Sequence, residues 1–185
     1  MTGVLTNIFM AVLYAWAVGG IASLALPLPA ALGLGAATGA ALGAIWPRNP
    51  LSRGLVALLD PVGVVLPLLA LRQMAGWAGM DIRPFHGIEL LLFLAAYLLF
   101  LIAATGKIRF DPYRLGYAPL PAGAVALALC AMGAVQGSLF LPLLALLAQT
   151  LWVLRLGSSN YFDHIVHAVL VPVVLIDLLG RILGG

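Results

Sequence analysis

GIELLLFLAAYLLFLIAAT, residues 87–105, holds a single charged side chain, Glu89, in an otherwise apolar run. A hydrocarbon core about 30 Å thick needs about 20 apolar residues in one helix, and about 17 suffice. The run therefore reads as a helix that crosses a bilayer. Outward from it, six more runs of the same kind follow: Val4–Leu26, Pro29–Trp46, Gly54–Leu71, Ala118–Gln136, Leu139–Leu156 and Phe162–Leu183. The connections are short, so residues 1–185 form one transmembrane domain. The expected fold is an all-α, polytopic transmembrane helix bundle of about seven spans, or six spans and a re-entrant segment. A β-barrel would need strands of roughly ten residues alternating apolar and polar, and these runs do not alternate.

Composition agrees. Of 185 residues 64% are hydrophobic and 8% charged, and the mean hydropathy is +1.15. A soluble domain has about 45–50% apolar and about 25% charged residues. This chain lacks the polar side chains to cover a globule in water, which excludes soluble enzymes, nucleic-acid binders and disordered tails.

The net charge of +3 comes from 9 Lys and Arg against 6 Asp and Glu. The basic residues lie almost wholly between apolar runs, where they act as topology signals and not as a nucleic-acid surface. With seven spans, Arg48, Arg53, Lys107, Arg109, Arg114 and Arg155 share one side of the membrane. Arg72, Arg83 and Arg181 share the other. The positive-inside rule makes the first side cytoplasmic and places the N-terminus there, in a bacterial-type inner membrane. No Lys or Arg precedes the first apolar run, so Met1–Leu26 reads as a span and not as a cleaved signal peptide. The lone cysteine, Cys130, excludes an intrachain disulfide and an all-cysteine metal site.

Three local patterns bear on packing. Gly35, Gly39 and Gly43 recur every fourth residue beside Ala36, Ala40 and Ala44, a glycine-zipper face that another backbone can approach closely. Ala11, Ala15 and Gly19 repeat that spacing in the first run, and the short Leu26–Pro29 link predicts a tight antiparallel hairpin. Asp60-Pro61 interrupts the third run. Either Asp60 caps a helix that starts at Pro61 and runs to about Trp77, or a broken span places a carboxylate beside unwound backbone, as in transporter sites. Pro172, at mid-depth of the last run, predicts a kink.

Ionisable groups inside a membrane are costly and form the short list for function. The densest group is Asn160-Tyr161-Phe162-Asp163-His164-Ile165-Val166-His167. On one helix, His164 and His167 share a face and Asp163 meets His167. With Asp60 they form the candidate proton- or ion-handling cluster, on the cytoplasmic half of the last helix. Histidine titrates near neutrality and can exchange protons with a carboxylate. The same pair could supply two ligands to zinc or another divalent metal, with Asp163, Asp60 or Asp111 completing the shell and leaving a water for hydrolysis. Haem or a pigment fits less well, because the only other imidazole, His86, falls on the opposite side.

Arg109 and Arg114 lie in a basic, aromatic connection suited to lipid headgroups or phosphate. Glu89 stands in a first helical turn, and Asp177 and Arg181 have ion-pair spacing. The only lysine, Lys107, lies in a connection, which excludes a retinal Schiff base in the last span. Seven spans, an inward N-terminus and Asp163, His164 and His167 in the last one resemble the progestin and adipoQ receptor and haemolysin III family of zinc proteins. That family's early-span histidine has no counterpart in Pro29–Trp46, so its hydrolase activity is not carried over.

The expected function is that of a small transporter or channel-like bundle, or an integral subunit of a larger membrane complex. The alternative is an intramembrane metal-dependent hydrolase. Expected surroundings are the lipid bilayer, with further copies of the chain or a larger complex as partners and no nucleic acid.

Overall fold

Proline decides where two of the seven expected spans stop being single helices. The computed structural model describes residues 2–45, 50–60, 63–107 and 109–183. Every regular element among them is helical: α1 (Thr2–Ala22), α2 (Leu28–Ile45), α3 (Pro50–Leu59), α4 (Val65–Trp77), α5 (Gly87–Ala104), α6 (Pro119–Gln136), α7 (Phe140–Val153), α8 (Phe162–Ile165) and α9 (Leu170–Leu183). A 3-10 turn, Pro112–Tyr117, joins α5 to α6. Pro67 and Pro172 are each the third residue of their helix, where a backbone N–H would be unpaired anyway. A longer helix would leave the carbonyls of Gly63 and Ala168 without a donor and drive each proline ring against them.

Among the described residues four helices, α1, α2, α5 and α6, are long and apolar enough to cross a membrane. The expected seven spans, or six and a re-entrant segment, differ from the helices observed in three places. The third run divides into α3 and α4, the sixth shortens to the 14 residues of α7, and the last divides into α8 and α9. Pro172 does not kink a continuous span, because the chain has already left the helix at Val166, which is extended (φ −128°, ψ 152°). The expected cap joins Asp60 to a helix that starts at Pro61. Pro61 itself lies outside the described residues, as does Arg48, and α4 begins only at Val65, with no side-chain cap.

α1 and α2 pack through small residues. Gly35 and Gly39 are buried. A Cβ added at Gly39 would stand 2.9 Å from Ala15 Cβ, and one at Gly35 would stand 3.0 Å from the Gly19 backbone. Trp16 ties this pair to α4 by donating its Nε1 hydrogen to Gln73 Oε1 at 2.8 Å. α6 and α7 pack through Ala122, Ala126, Ala145 and Ala148, all buried. Between these two helices Gly137 takes the left-handed conformation (φ 64°), and Ser138 N donates back to Gly133 O at 2.8 Å, closing α6.

The core lies where the two broken runs meet. Val64, Val65 and Leu66 follow the first break, Tyr161, Phe162 and Ile165 precede the second, and the α6–α7 alanines complete the cluster. The outside is apolar as well. Leu120, Leu127 and Val135 on one side of α6 are 86%, 72% and 88% exposed, which suits contact with lipid tails and not with water.

Candidate functional site

The two breaks cross in direct backbone contact. A Cβ on Gly63 would overlap the carbonyl oxygen of Asp163 and stand 2.7 Å from His164 Cα, so only glycine allows the two chains to approach this closely. Gly116, in the 3-10 turn, plays the same part on the other side, since an added Cβ would overlap the Asn160 side chain. Segment 157–167 is held between these two glycines.

Each imidazole there ties down an unpaired carbonyl. His167 Nε2 lies 3.1 Å from the carbonyl of Leu59, the last residue of α3, which has no partner within its own helix. Val169 N donates to His167 Nδ1 at 3.2 Å. Nδ1 is therefore the acceptor, and Nε2 carries the proton, which assigns a neutral ring from its hydrogen bonds. His164 Nε2 lies 3.1 Å from Ser158 O and donates to it by the same reasoning. His164 is 1% exposed, and its Nδ1 has no partner. The result is a basic nitrogen enclosed at depth beside a carboxylate-bearing turn.

That carboxylate, Asp163, accepts from the Tyr113 hydroxyl at 2.5 Å and from Ser158 Oγ. Burial, followed by the bond to Asp163, holds the Tyr113 hydroxyl above its ordinary pKa, so it stays a donor. Asn160 completes the network. Its Nδ2 donates to Tyr113 O at 2.8 Å, its Oδ1 accepts from Phe162 N at 2.9 Å, and its own N–H donates to Ser158 Oγ at 3.0 Å. Tyr161 N donates to Gly116 O at 3.0 Å. Buried polar networks of this kind persist when their members are satisfied.

Of the residues expected to act together, Asp163, His164 and His167 share the crossing, and Asp60 does not join their hydrogen bonds. Asp60 follows α3 directly but is exposed, and its carboxylate makes no hydrogen bond among the described residues. The expected shared face of His164 and His167 is also corrected, because the helix ends between them and each ring faces a different carbonyl. Both Nε2 atoms and both Asp163 oxygens already have partners. Among the described residues no group of three or more His, Cys, Asp or Glu is placed to hold a metal ion. The set does not fit zinc as it stands.

Arg109 and Arg114 are exposed in the α5–α6 connection. Asp111 caps the 3-10 turn by accepting from Tyr113 N at 3.1 Å. Asp177 and Arg181 form their ion pair at 2.8 Å. Sequence reasoning missed Tyr113 and Ser158 as partners of Asp163. The signal available for Tyr113 was its place two residues after Asp111, in an Asp-Pro-Tyr turn. No family model, curated protein or solved structure matches the chain.

Proposed function

We propose that this chain is a small integral membrane transport protein that handles protons or small ions at the crossing of its two helix breaks. One observation carries the reading: Gly63, in the first break, meets the Asp163–His164 backbone of the one-turn helix α8, just ahead of the second break. In a bilayer, non-helical backbone is tolerated only when buried in protein or lining a polar path. Discontinuous helices meeting in one bundle are the way transporters build midplane sites. Asp163, hydrogen-bonded to two hydroxyls, and the open Nδ1 of His164 supply groups that can pass a proton between them. The N-terminus faces the cytoplasm of a bacterial-type cell, and Arg109 and Arg114 contact anionic headgroups of the inner leaflet.

The test is flux into liposomes that hold the purified protein and an internal pH-sensitive dye, under imposed proton, sodium and potassium gradients. Wild type carries flux under at least one gradient, and Asp163→Asn and His164→Gln lose most of it while keeping the wild-type elution profile. Absence of wild-type flux under all three gradients, or full flux in both variants, overturns the reading.

A further inference from the structure

A second site extends from the apolar side of the crossing toward the start of α5. Helices α4, α5, α6, α7 and α9 line a half-open cavity of about 820 Å³. That is the size of pockets which take small organic ligands, roughly 300–1,000 Å³. One end is closed by Phe162, Ile165 and Val166, the apolar side of the crossing, with Phe100 packed on Phe162 at 5.0 Å between ring centroids. The side walls are aliphatic and aromatic. Four charged residues also line the cavity: Arg72, Glu89, Asp177 and Arg181.

These four gather around the start of α5. The Arg72 guanidinium lies 3.9 Å over the Phe85 ring and donates to the carbonyl of Arg83. Arg181 donates to the carbonyl of Phe85 at 2.9 Å and pairs with Asp177 at 2.8 Å. Glu89 Oε2 accepts from His86 N at 2.7 Å. Phe100, at the closed end, is eleven residues further along α5 than Glu89, or about 16 Å at 1.5 Å per residue. The cavity is therefore long, apolar along its length and charged at one end.

At the charged end one carboxylate oxygen is unpartnered, and Arg72 lies within electrostatic reach of Glu89 without forming an ion pair with it. Glu89 is 7% exposed, and its second oxygen, Oε1, is buried without a hydrogen-bond partner. A buried acceptor left in this state is costly. Arg72 forms no ion pair among the described residues. A head that brings an anionic oxygen to Arg72 and an N–H donor to Glu89 Oε1 would satisfy both, while its hydrocarbon fills the apolar length.

We propose that this cavity binds one zwitterionic phospholipid with a primary ammonium head, of the phosphatidylethanolamine class. Its phosphate faces Arg72, its ammonium donates to Glu89, and an acyl chain runs toward Phe100 and Phe162. A choline head carries the same two charges but has no N–H to donate. A glycerol head adds net negative charge beside Glu89 and Asp177.

Native mass spectrometry of the full chain in detergent tests this, with an equimolar mixture of ethanolamine, choline and glycerol phospholipids of identical acyl chains. The expected result is one retained lipid per chain, with the ethanolamine form favoured by about tenfold, the scale of one hydrogen bond to a charged group. Glu89→Gln abolishes the preference for ethanolamine over choline. Ala96→Phe, which narrows the wall away from the charged end, removes the retained lipid altogether. Equal retention of the ethanolamine and choline forms by wild type overturns the proposal, as does an unchanged preference in Glu89→Gln. Undiminished retention in Ala96→Phe does the same.

Discussion

The α1–α2 pair and the crossing of α3–α4 with α8–α9 both bring two backbones into contact through glycine, yet they manage hydrogen bonding in opposite ways. In the pair, each helix satisfies its own peptide groups along its length, so the contact rests on van der Waals packing of Gly35 and Gly39 against Ala15 and Gly19. At the crossing α3 has ended and α8 is a single turn, and the chain segments depend on each other for partners: His167 takes the carbonyl of Leu59, and Gly116 takes the N–H of Tyr161. The pair is held by the fit of its small residues. The crossing is held by hydrogen bonds between its segments as well.

The largest expected effect follows from this difference. Gly63→Ala drives a methyl group into the Asp163 carbonyl, where neither backbone can retreat without losing its partners, and should cost more than about 3 kcal/mol. Gly39→Ala, also set against neighbouring backbone, should cost about 1–3 kcal/mol because α1 and α2 can separate as rigid rods. Thermal unfolding of the two variants in one detergent ranks them. Equal losses would break the contrast between rod and crossing.

His167→Ala comes next. It leaves the carbonyl of Leu59 and the N–H of Val169 unpaired, for a loss of about 2–4 kcal/mol. The loss should be local, so hydrogen exchange should rise at residues 59–64 and 166–169 and stay low in α1 and α2. Uniform exchange across the chain would show that the two regions unfold as one.

The smallest effect is a pH dependence. The Tyr113 hydroxyl has a pKa raised by burial and by its bond to Asp163, so the stability it contributes is complete below the ordinary tyrosine value of about 10. It is lost as the pH climbs through the higher folded value. The unfolding temperature of wild type should therefore fall above about pH 10, and that of Tyr113→Phe should fall less steeply. Parallel curves would remove the Tyr113–Asp163 bond from the forces that hold the crossing.

Much of this difference was legible in the residues. The helical, membrane-like character of the chain, the small-residue face of α2 and the polar Asn160–His167 stretch all stand in the sequence, because hydropathy and spacing are local properties. The length of the interruptions was not legible. A proline marks where a helix cannot continue inward, but how far the chain stays unwound depends on what waits to pair with it. At the end of α3 that partner is His167, 108 positions away, and the backbone packed against Gly63 is that of Asp163 and His164. Glu89 illustrates the same limit. Its place in a first helical turn was readable, whereas its unsatisfied second oxygen depends on how five helices surround it.

The bond between His167 and Leu59 spans 108 positions of the chain, and that distance has a consequence for biogenesis. While the ribosome is still making the middle of the protein, the carbonyls of Leu59 and Gly116 have no mates, and a peptide group left bare in hydrocarbon costs several kcal/mol. Only when residues 157–167 emerge do both find them together. A nascent product halted before that point keeps exposed amide groups among the lipids, a mark by which membrane quality-control proteases could tell an unfinished copy from a mature one.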